Sequence, residues 1–489
     1  MDRKMTVTRD QAIAVIEKLA PTPMLIAGEF VGGKGSGELT ISDPARDSTI
    51  IAVQSASTDQ LGQAVTAASA AQREWENVSP TDRAATLHRL ADAIETCADQ
   101  FTAVITTQLG SPVGLSERLH VRLAVADIRA VAEALVSMKF EQQIGASMVL
   151  ERAAGVVFAI TPWNYPLHQV VAKVAPAIAA GCSVILKPSE EALGAAALFA
   201  RCVQESGLPA GVLNVVVGGG REIANELVGH PGIDVVSFTG STEVGSAIAR
   251  QAAGTITRVH LELGGKSPSL IAPSGDLTTG VKVTLANCFL NSGQSCNALT
   301  RLLVPRENLS QVEQQILGLM PRHQPVDPWS NGARMGSVVS VARQASIWSD
   351  IQAAKDRGDT ILAGGTGLPD GIERGAFVRP TVFFDTDPNS PIAQEEVFGP
   401  VLTVLAYDDL NHALELANAT RYGLGGSVWA STNHEAADIA REIRSGQVDL
   451  NGGAFNPAAP FGGFKASGYG RELGRYGIAS FIEPQSLQN

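Results

Sequence analysis

A cysteine that forms covalent intermediates must be reachable by substrate and lie near backbone N–H groups that lower its pKa. The segment NCFLNSGQSCNALTRLLV sets Cys296 in such a place, behind a helix and the flexible Gly293 and ahead of an apolar strand. The competing reading of an isolated loop cysteine is a small packed side chain, and Cys288, within the helix, is read that way. LELGGKSP (261–268) puts Glu262 at the end of a strand, directly before a Gly-Gly turn. A partly desolvated carboxylate there can activate water as a general base; taken alone, a surface carboxylate at a turn is the simpler account. ITPWNYP (160–166) follows an apolar strand and leads into a helix over 167–180, with Pro166 suited to the first turn. Asn164 then projects from a strand–helix corner, where an amide N–H can stabilise a developing oxyanion. Turn formation is the commoner reason for an Asn in that place.

Two further corners suit a nucleotide. In VILKPSE (184–190) a buried strand ends in Lys187 and Glu190, which at the carboxyl end of a parallel strand can meet a ribose, Lys as donor and Glu as acceptor. FTGSTEVG (238–245) is another strand–turn–helix corner, whose helix N-terminus favours phosphate. The chain has no G-x-G-x-x-G, so the usual dinucleotide fingerprint is missing.

The elements around these corners follow from periodicity. Residues 58–108 carry Ala, Leu and Ile at helical spacing and read as two long helices, with a third over roughly 115–137. FEQQIGASMVLERAAGVVFAI (140–160) places β-branched runs about a Gly-Ala-Ser turn, the pattern of a hairpin. From 155 to 271 the runs GVVFAI, SVILKP, LNVVVGG, VVSFTG and PSLIA alternate with helical segments at 191–206, 221–229 and 242–253. That alternation implies a parallel sheet with helices on both faces. A second α/β region runs from 262 to about 460, and FIEPQSL closes the chain as a lone strand.

The bulk numbers bound the function. A chain of 489 residues exceeds one hydrophobic core, so two or three domains are expected. Its net charge of −12 opposes binding to nucleic acid or an anionic membrane, which need clustered Lys and Arg. The N-terminus has scattered charges and no apolar stretch of signal-peptide length, and VAPAIAAGCSVIL (174–186) is too short to span a bilayer. Cysteines 97, 182, 202, 288 and 296 form no C-x-x-C and have no clustered histidines. No metal is expected, and an odd, sparse set suits a reducing cytoplasm.

Taken together and in order, PWNYP, KPSE, FTGSTEVG, LELGGKSP, NSGQSC, EEVFGP (395–400) and PFGGFKASGYGRELG (460–474) closely resemble the aldehyde dehydrogenase superfamily, from about residue 25 to the end. The resemblance implies an α/β fold with a Rossmann-type parallel-sheet cofactor domain (1–138 and 158–261), an α/β catalytic domain (262–462) and a β-hairpin oligomerisation arm (139–157 and 475–489) that pairs with a partner subunit in a homodimer or homotetramer. It makes Cys296 the nucleophile, Glu262 the base for thioester hydrolysis, and Asn164 with the Cys296 N–H the oxyanion hole. Lys173 and Glu472 resemble residues implicated in proton movement. Lys187 and Glu190 take the place of adenosine-ribose ligands, Ser241 and Gly220 contact phosphate and adenine, and Glu396 and Phe398 hold the nicotinamide ribose and ring. Ile160, Pro162, Trp163, Ser189, Phe238, Gly240, Val244 and Leu263 complete the cofactor cleft. The cofactor implied is NAD, with NADP possible. Two departures bear on the adenine pocket: Ala224 replaces a frequent Gly, and KPSE is followed by EALG rather than Thr-Pro.

The implied reaction is oxidation of an aldehyde to a carboxylic acid through a cysteine hemithioacetal and thioester. A CoA-acylating enzyme is the alternative, although such relatives commonly lack a carboxylate where Glu262 stands; a non-catalytic binding or structural relative is the other. For the aldehyde, Tyr165, Gln169 and Ala172 follow i, i+4, i+7 spacing on one helical stripe. In the family that stripe lines the tunnel, with Phe461 opposite and Ser295 and Asn297 flanking the nucleophile. Small Ala172 leaves room for a medium-sized aliphatic or aromatic aldehyde, and the polar groups suit a polar substituent. Arg118 and Arg122 could meet a carboxylate only at the tunnel mouth.

Overall fold

Runs such as VVFAI and SVILK have no polar face, so they are stable only as strands covered on both sides. In the computed structural model, which describes residues 7–488, five such strands form a parallel core: Arg258–Glu262, Val235–Thr239, Val156–Ile160, Ser183–Lys187 and Leu213–Val215, in that spatial order. Antiparallel Met24–Ile26 and Glu29–Val31 extend one edge and Gly468–Tyr469 the other. The chain order reverses between Val156–Ile160 and Val235–Thr239, so a crevice opens beyond their carboxyl ends. Register brings the motif residues level there. Ile160 lies opposite Lys187 on one side and Phe238 on the other, and Thr239 lies opposite Glu262.

Beyond Glu262 the chain enters a second, seven-stranded sheet in the order Ile361–Ala363, Thr381–Phe383, Val401–Tyr407, Arg301–Pro305, Pro268–Ile271, Ser427–Trp429 and Asp449–Leu450. All its pairings are parallel except that of Ile361–Ala363. One large apolar cluster fills the first sheet and its helices, and separate clusters lie about the second. The two sheets meet at the loop between Glu262 and Pro268. The expected hairpin is present as Glu141–Ile144 and Ser147–Ala153, turning at Gly145.

Three expectations are corrected. Residues 58–108 make three helices rather than two, Thr58–Trp75, Pro80–Thr96 and Ala98–Leu109. Cys97 (φ −93°, ψ 13°) leaves helical geometry between the last two. The helix expected from 115 opens with a π-helical segment, Ser116–Arg122, before Leu123–Ser137. The closing strand, Ile482–Leu487, is not alone: it pairs antiparallel along Ser147–Ala153 and makes a three-stranded arm. Residues 1–6 of the expected cofactor domain and Asn489 of the arm lie outside the described residues.

Candidate active site

The segment before Cys296 has an unusual backbone. Asn291, Ser292 and Gly293 all have positive φ (51°, 57° and 73°), a left-handed run that L-residues adopt only when held there. The holding groups are visible. Asn291 Nδ2 donates to the Asn164 carbonyl at 2.8 Å, and Ser292 Oγ to the Gly336 carbonyl at 3.1 Å. Gln294 Nε2 donates to the Asn291 carbonyl (3.0 Å), and Gln294 Oε1 accepts from the Val339 N–H (2.9 Å). Gly293 is obligatory for packing as well, because a Cβ there would lie 2.1 Å from the Gly399 carbonyl carbon. Asn164 sits 2 % exposed at the corner before the helix Pro166–Ala180 and donates Nδ2 to the Gln294 carbonyl at 3.0 Å. Its amide has a second N–H to offer.

Glu262 ends its strand 4 % exposed, and neither carboxylate oxygen has a hydrogen-bond partner among the described residues. Burial, then the Glu472 charge, raise its pKa well above the ordinary carboxylate range, against the pull of Lys173 and Arg471. Gly462 (φ +148°) makes room for it: a Cβ there would lie 2.5 Å from Glu262 Oε1. Lys173, buried in the helix Pro166–Ala180, bonds Glu472 Oε1 at 2.5 Å and approaches Ser237 Oγ at 3.4 Å. The Cys296 thiol is pushed up by burial and by the charges of Glu396, Glu262 and Glu472, so all three carboxylates are near it.

The crevice at the strand ends collects the other motifs. Lys187 Nζ meets Glu190 Oε1 at 2.9 Å, and that oxygen also accepts the Gly220 N–H at 2.5 Å. Ser189 caps the 3-10 turn Glu190–Ala192. Ser241 caps the helix Thr242–Ala252, its Oγ accepting the Val244 N–H at 3.3 Å, while the Val244 side chain is exposed. Gly240 N–H donates to the Glu262 carbonyl (3.0 Å), and Leu263 N–H to that of Ser467 (3.0 Å). Across the crevice Trp163 meets Phe398 edge to face at 5.4 Å, with half-buried Pro162 beside it in sequence. Arg343 lies 5.7 Å over the Phe398 ring and donates to the Val397 and Phe398 carbonyls. Glu396 is half-buried, accepts the Gly265 N–H at 3.1 Å, and has its pKa raised by desolvation to about 7. A donor–acceptor pair at strand ends, a capped helix N-terminus, an aromatic wall and a half-buried carboxylate fit a dinucleotide laid across the switch point.

On the opposite side of Cys296, Tyr165 Oη and Ser295 Oγ are 2.6 Å apart, and burial pushes the phenol up to about 12. Gln169 is 4 % exposed with Oε1 unpartnered among the described residues, and Ala172 is fully buried beside it on the helix. Phe461 exchanges both backbone hydrogen bonds with Glu472, and Asn297 is half-buried. Arg122 pairs with Glu117 and Arg118 is exposed, both within the π-helical segment. The sequence reading missed Gln294, which fastens the cysteine loop, and His120, His168 and Phe455, whose rings join those of Tyr165 and Phe461. Only His168 carried a signal, at i+3 from Tyr165.

The family model described as "Aldehyde dehydrogenase family" matches residues 30–487. The chain belongs to the aldehyde dehydrogenase family. It is 39 % identical over 463 residues to the 3-succinoylsemialdehyde-pyridine dehydrogenase of a Pseudomonas species, covering 94 % of this chain and 97 % of that one. Among solved structures it is similar to aldehyde dehydrogenase C of Pseudomonas syringae, a cysteine-to-alanine mutant complexed with NAD+ and octanal (TM-score 0.94, 37 % identity, 96 % and 97 % of the two chains). It is also similar to the betaine aldehyde dehydrogenase of Staphylococcus aureus in complex with NAD+ (TM-score 0.94, 31 % identity, 98 % and 97 %). The protein is therefore a nicotinamide-dependent aldehyde dehydrogenase that oxidises an aldehyde. No helix of the described residues is long and apolar enough to cross a membrane.

Proposed function

We propose that this aldehyde dehydrogenase converts a medium-sized aliphatic or aromatic aldehyde to its carboxylic acid in the cytoplasm, hydrolysing a thioester on Cys296 and preferring NAD to NADP. The observation that carries the hydrolytic reading is Glu262, a buried carboxylate with no protein partner and electrostatically coupled to Cys296. Cys296 Sγ attacks the aldehyde carbon, and the new oxyanion is held by the free Asn164 amide N–H and by the Cys296 N–H, which no backbone carbonyl accepts among the described residues. Collapse of the oxyanion re-forms the carbonyl as the Cys296 thioester with loss of hydride, for which a nicotinamide ring held by Glu396 and Phe398 would supply the acceptor. Glu262 then takes a proton from water, the hydroxyl oxygen adds to the thioester carbonyl, and the Cys296 thiolate leaves as the acid forms. Lys173 and Glu472, ion-paired beside Glu262, offer its proton a way out.

Lys187 and Glu190 bind the adenosine ribose, Ser241 and Gly220 lie by phosphate and adenine, and Glu396 and Phe398 orient the nicotinamide end. Ile160, Pro162, Trp163, Ser189, Phe238, Gly240, Val244 and Leu263 shape the cleft. Tyr165, Gln169, Ala172, Ser295, Asn297 and Phe461 line the aldehyde tunnel. Residues 1–138 and 158–261 act as the NAD-binding domain, 262–462 as the catalytic domain, and 139–157 with 475–489 as an arm that joins subunits into a homodimer or homotetramer. Glu262→Gln tests the central claim. It should give a burst of about one NADH per active site and then stall, since only water activation is lost. Full steady-state turnover would overturn the assignment, and strong rescue by free CoA would favour acyl transfer to CoA.

A further inference from the structure

His168 is a polar side chain next to the tunnel stripe of Tyr165, Gln169 and Ala172, and the mechanism has no use for it. It lies on the helix Pro166–Ala180 one turn after Tyr165, whose hydroxyl touches Ser295, the neighbour of Cys296. Its imidazole packs edge-on against Tyr165 (6.1 Å) and Phe455 (6.3 Å), and Phe455 continues to Phe461 (6.4 Å). On the other side of Tyr165, His120 stacks at 4.8 Å. These rings form one continuous aromatic cluster, which Tyr165 joins to Ser295 beside the nucleophile.

The orientation of His168 is fixed from behind. Its Nδ1 lies 2.6 Å from Oδ2 of Asp127, which is 1 % exposed on the helix Leu123–Ser137; Asp127 Oδ1 has no partner among the described residues. A carboxylate so buried needs a cation or a strong donor beside it. Burial works against the imidazolium, but the Asp127 carboxylate, and after it Glu472, outweigh that and raise the His168 pKa above its ordinary value. His120, by contrast, is pushed down to about 3 by burial and by His168, so it stays neutral. With Nδ1 committed to Asp127, Nε2 is left. It has no partner among the described residues and is not among the buried unpartnered atoms, so it keeps accessible surface on a side chain that is only 14 % exposed.

We propose that His168, aligned by Asp127, is the specificity-determining residue of this dehydrogenase: its Nε2–H selects aldehydes that carry an aromatic ring and, between ring and aldehyde, a hydrogen-bond-accepting carbonyl oxygen. Tyr165, Phe455 and Phe461 supply the ring's contacts, and the imidazole donor makes the discrimination. A substrate without the acceptor strips water from Nε2–H and returns nothing, whereas one with it gains a hydrogen bond. The inference rests on the tunnel assigned above and narrows its substrate class.

The test compares 4-oxo-4-phenylbutanal with 4-phenylbutanal, which differ by one ketone oxygen, in the full-length enzyme with NAD. The keto aldehyde should have a kcat/KM about tenfold higher, expressed mainly in KM. In His168→Phe that ratio should fall to about one, with rates normalised to the NADH burst, and in His168→Gln, which keeps an N–H donor, part of it should survive. Asp127→Asn should lower the ratio by loosening the imidazole. A wild-type ratio near one, or an unchanged ratio in both His168 variants, overturns the inference; because the first needs no variant, a variant that fails to fold leaves the test intact. Failure of the tunnel assignment is a different result, acetaldehyde outperforming 4-phenylbutanal, and the ketone ratio decides on His168 in either case.

Discussion

Burial first, and then the charges of Glu396, Glu262 and Glu472, raise the proton affinity of the Cys296 thiol. On the proposed assignment the free enzyme should therefore rest with Cys296 as a protonated thiol, less open to oxidation than a thiolate. A cationic nicotinamide ring brought against these carboxylates reverses the balance, because an opposite charge favours the thiolate. Alkylation of Cys296 by iodoacetamide should accordingly be slow at pH 7, rise steadily past the usual cysteine pKa of about 8.5, and at pH 7 be faster with NAD+ than with NADH. A rate already flat between pH 6 and 8 in the free enzyme would contradict this. Glu190 carries the second residue-scale expectation. In the proposed site its carboxylate would accept from ribose hydroxyls and repel a 2′-phosphate, so kcat/KM should favour NAD, and Glu190→Gln should narrow the gap. A wild-type preference for NADP would show that another group governs the choice.

At the scale of elements, Arg301 on the strand Arg301–Pro305 ties the cysteine side of the site to its surroundings. It is 1 % exposed, and its three nitrogens donate to the carbonyls of Lys266 (2.8 Å), Leu416 (2.6 Å) and Ala417 (2.8 Å). The last two are C-terminal carbonyls of the helix Leu410–Asn418 and carry its negative dipole end; that of Leu416 also accepts the Ala419 N–H at 3.3 Å. Arg301→Met should take the guanidinium from all three carbonyls, leaving Leu416 only the Ala419 N–H, at a cost of about 2 kcal/mol or more, read as a lower urea midpoint, with Arg301→Lys intermediate. An unchanged midpoint would refute that role. Which elements were legible in the sequence follows the same physics. Strand ends such as Lys187 and Glu262 were readable because a wholly buried run stops where polar or Gly residues begin. The break at Cys97 was not, because ADAIETCADQF carries helical spacing straight across it. Nor was the Asp127–His168 pair: nothing local joins two residues from helices packed only in the tertiary fold. The site motifs were legible singly as corners, and only their order gave them roles.

For the whole molecule, the arm is the part with unfinished surfaces. Its three strands end in two open edges, Glu141–Ile144 and Ile482–Leu487, and the second sheet ends at Asp449–Leu450. Open edges are templates for pairing with another chain. Ile144 and Leu487, 56 % and 44 % exposed, add apolar surface on the arm. Ile144→Lys with Leu487→Lys should shift sedimentation from a multiple of the 51.0 kDa chain toward one copy, and a wild type already at one copy would remove the arm's proposed role. The left-handed run at Asn291–Gly293 has a reach of its own. Since Gly293 is packed without clearance on the backbone of Gly399 and Pro400, the cysteine loop cannot move without displacing the EEVFGP loop. Local opening is thus a joint event, in which amides on both loops exchange with deuterium at one common rate. The thiol and the residues facing the nicotinamide ring keep their mutual distance through thermal motion, and lose it together.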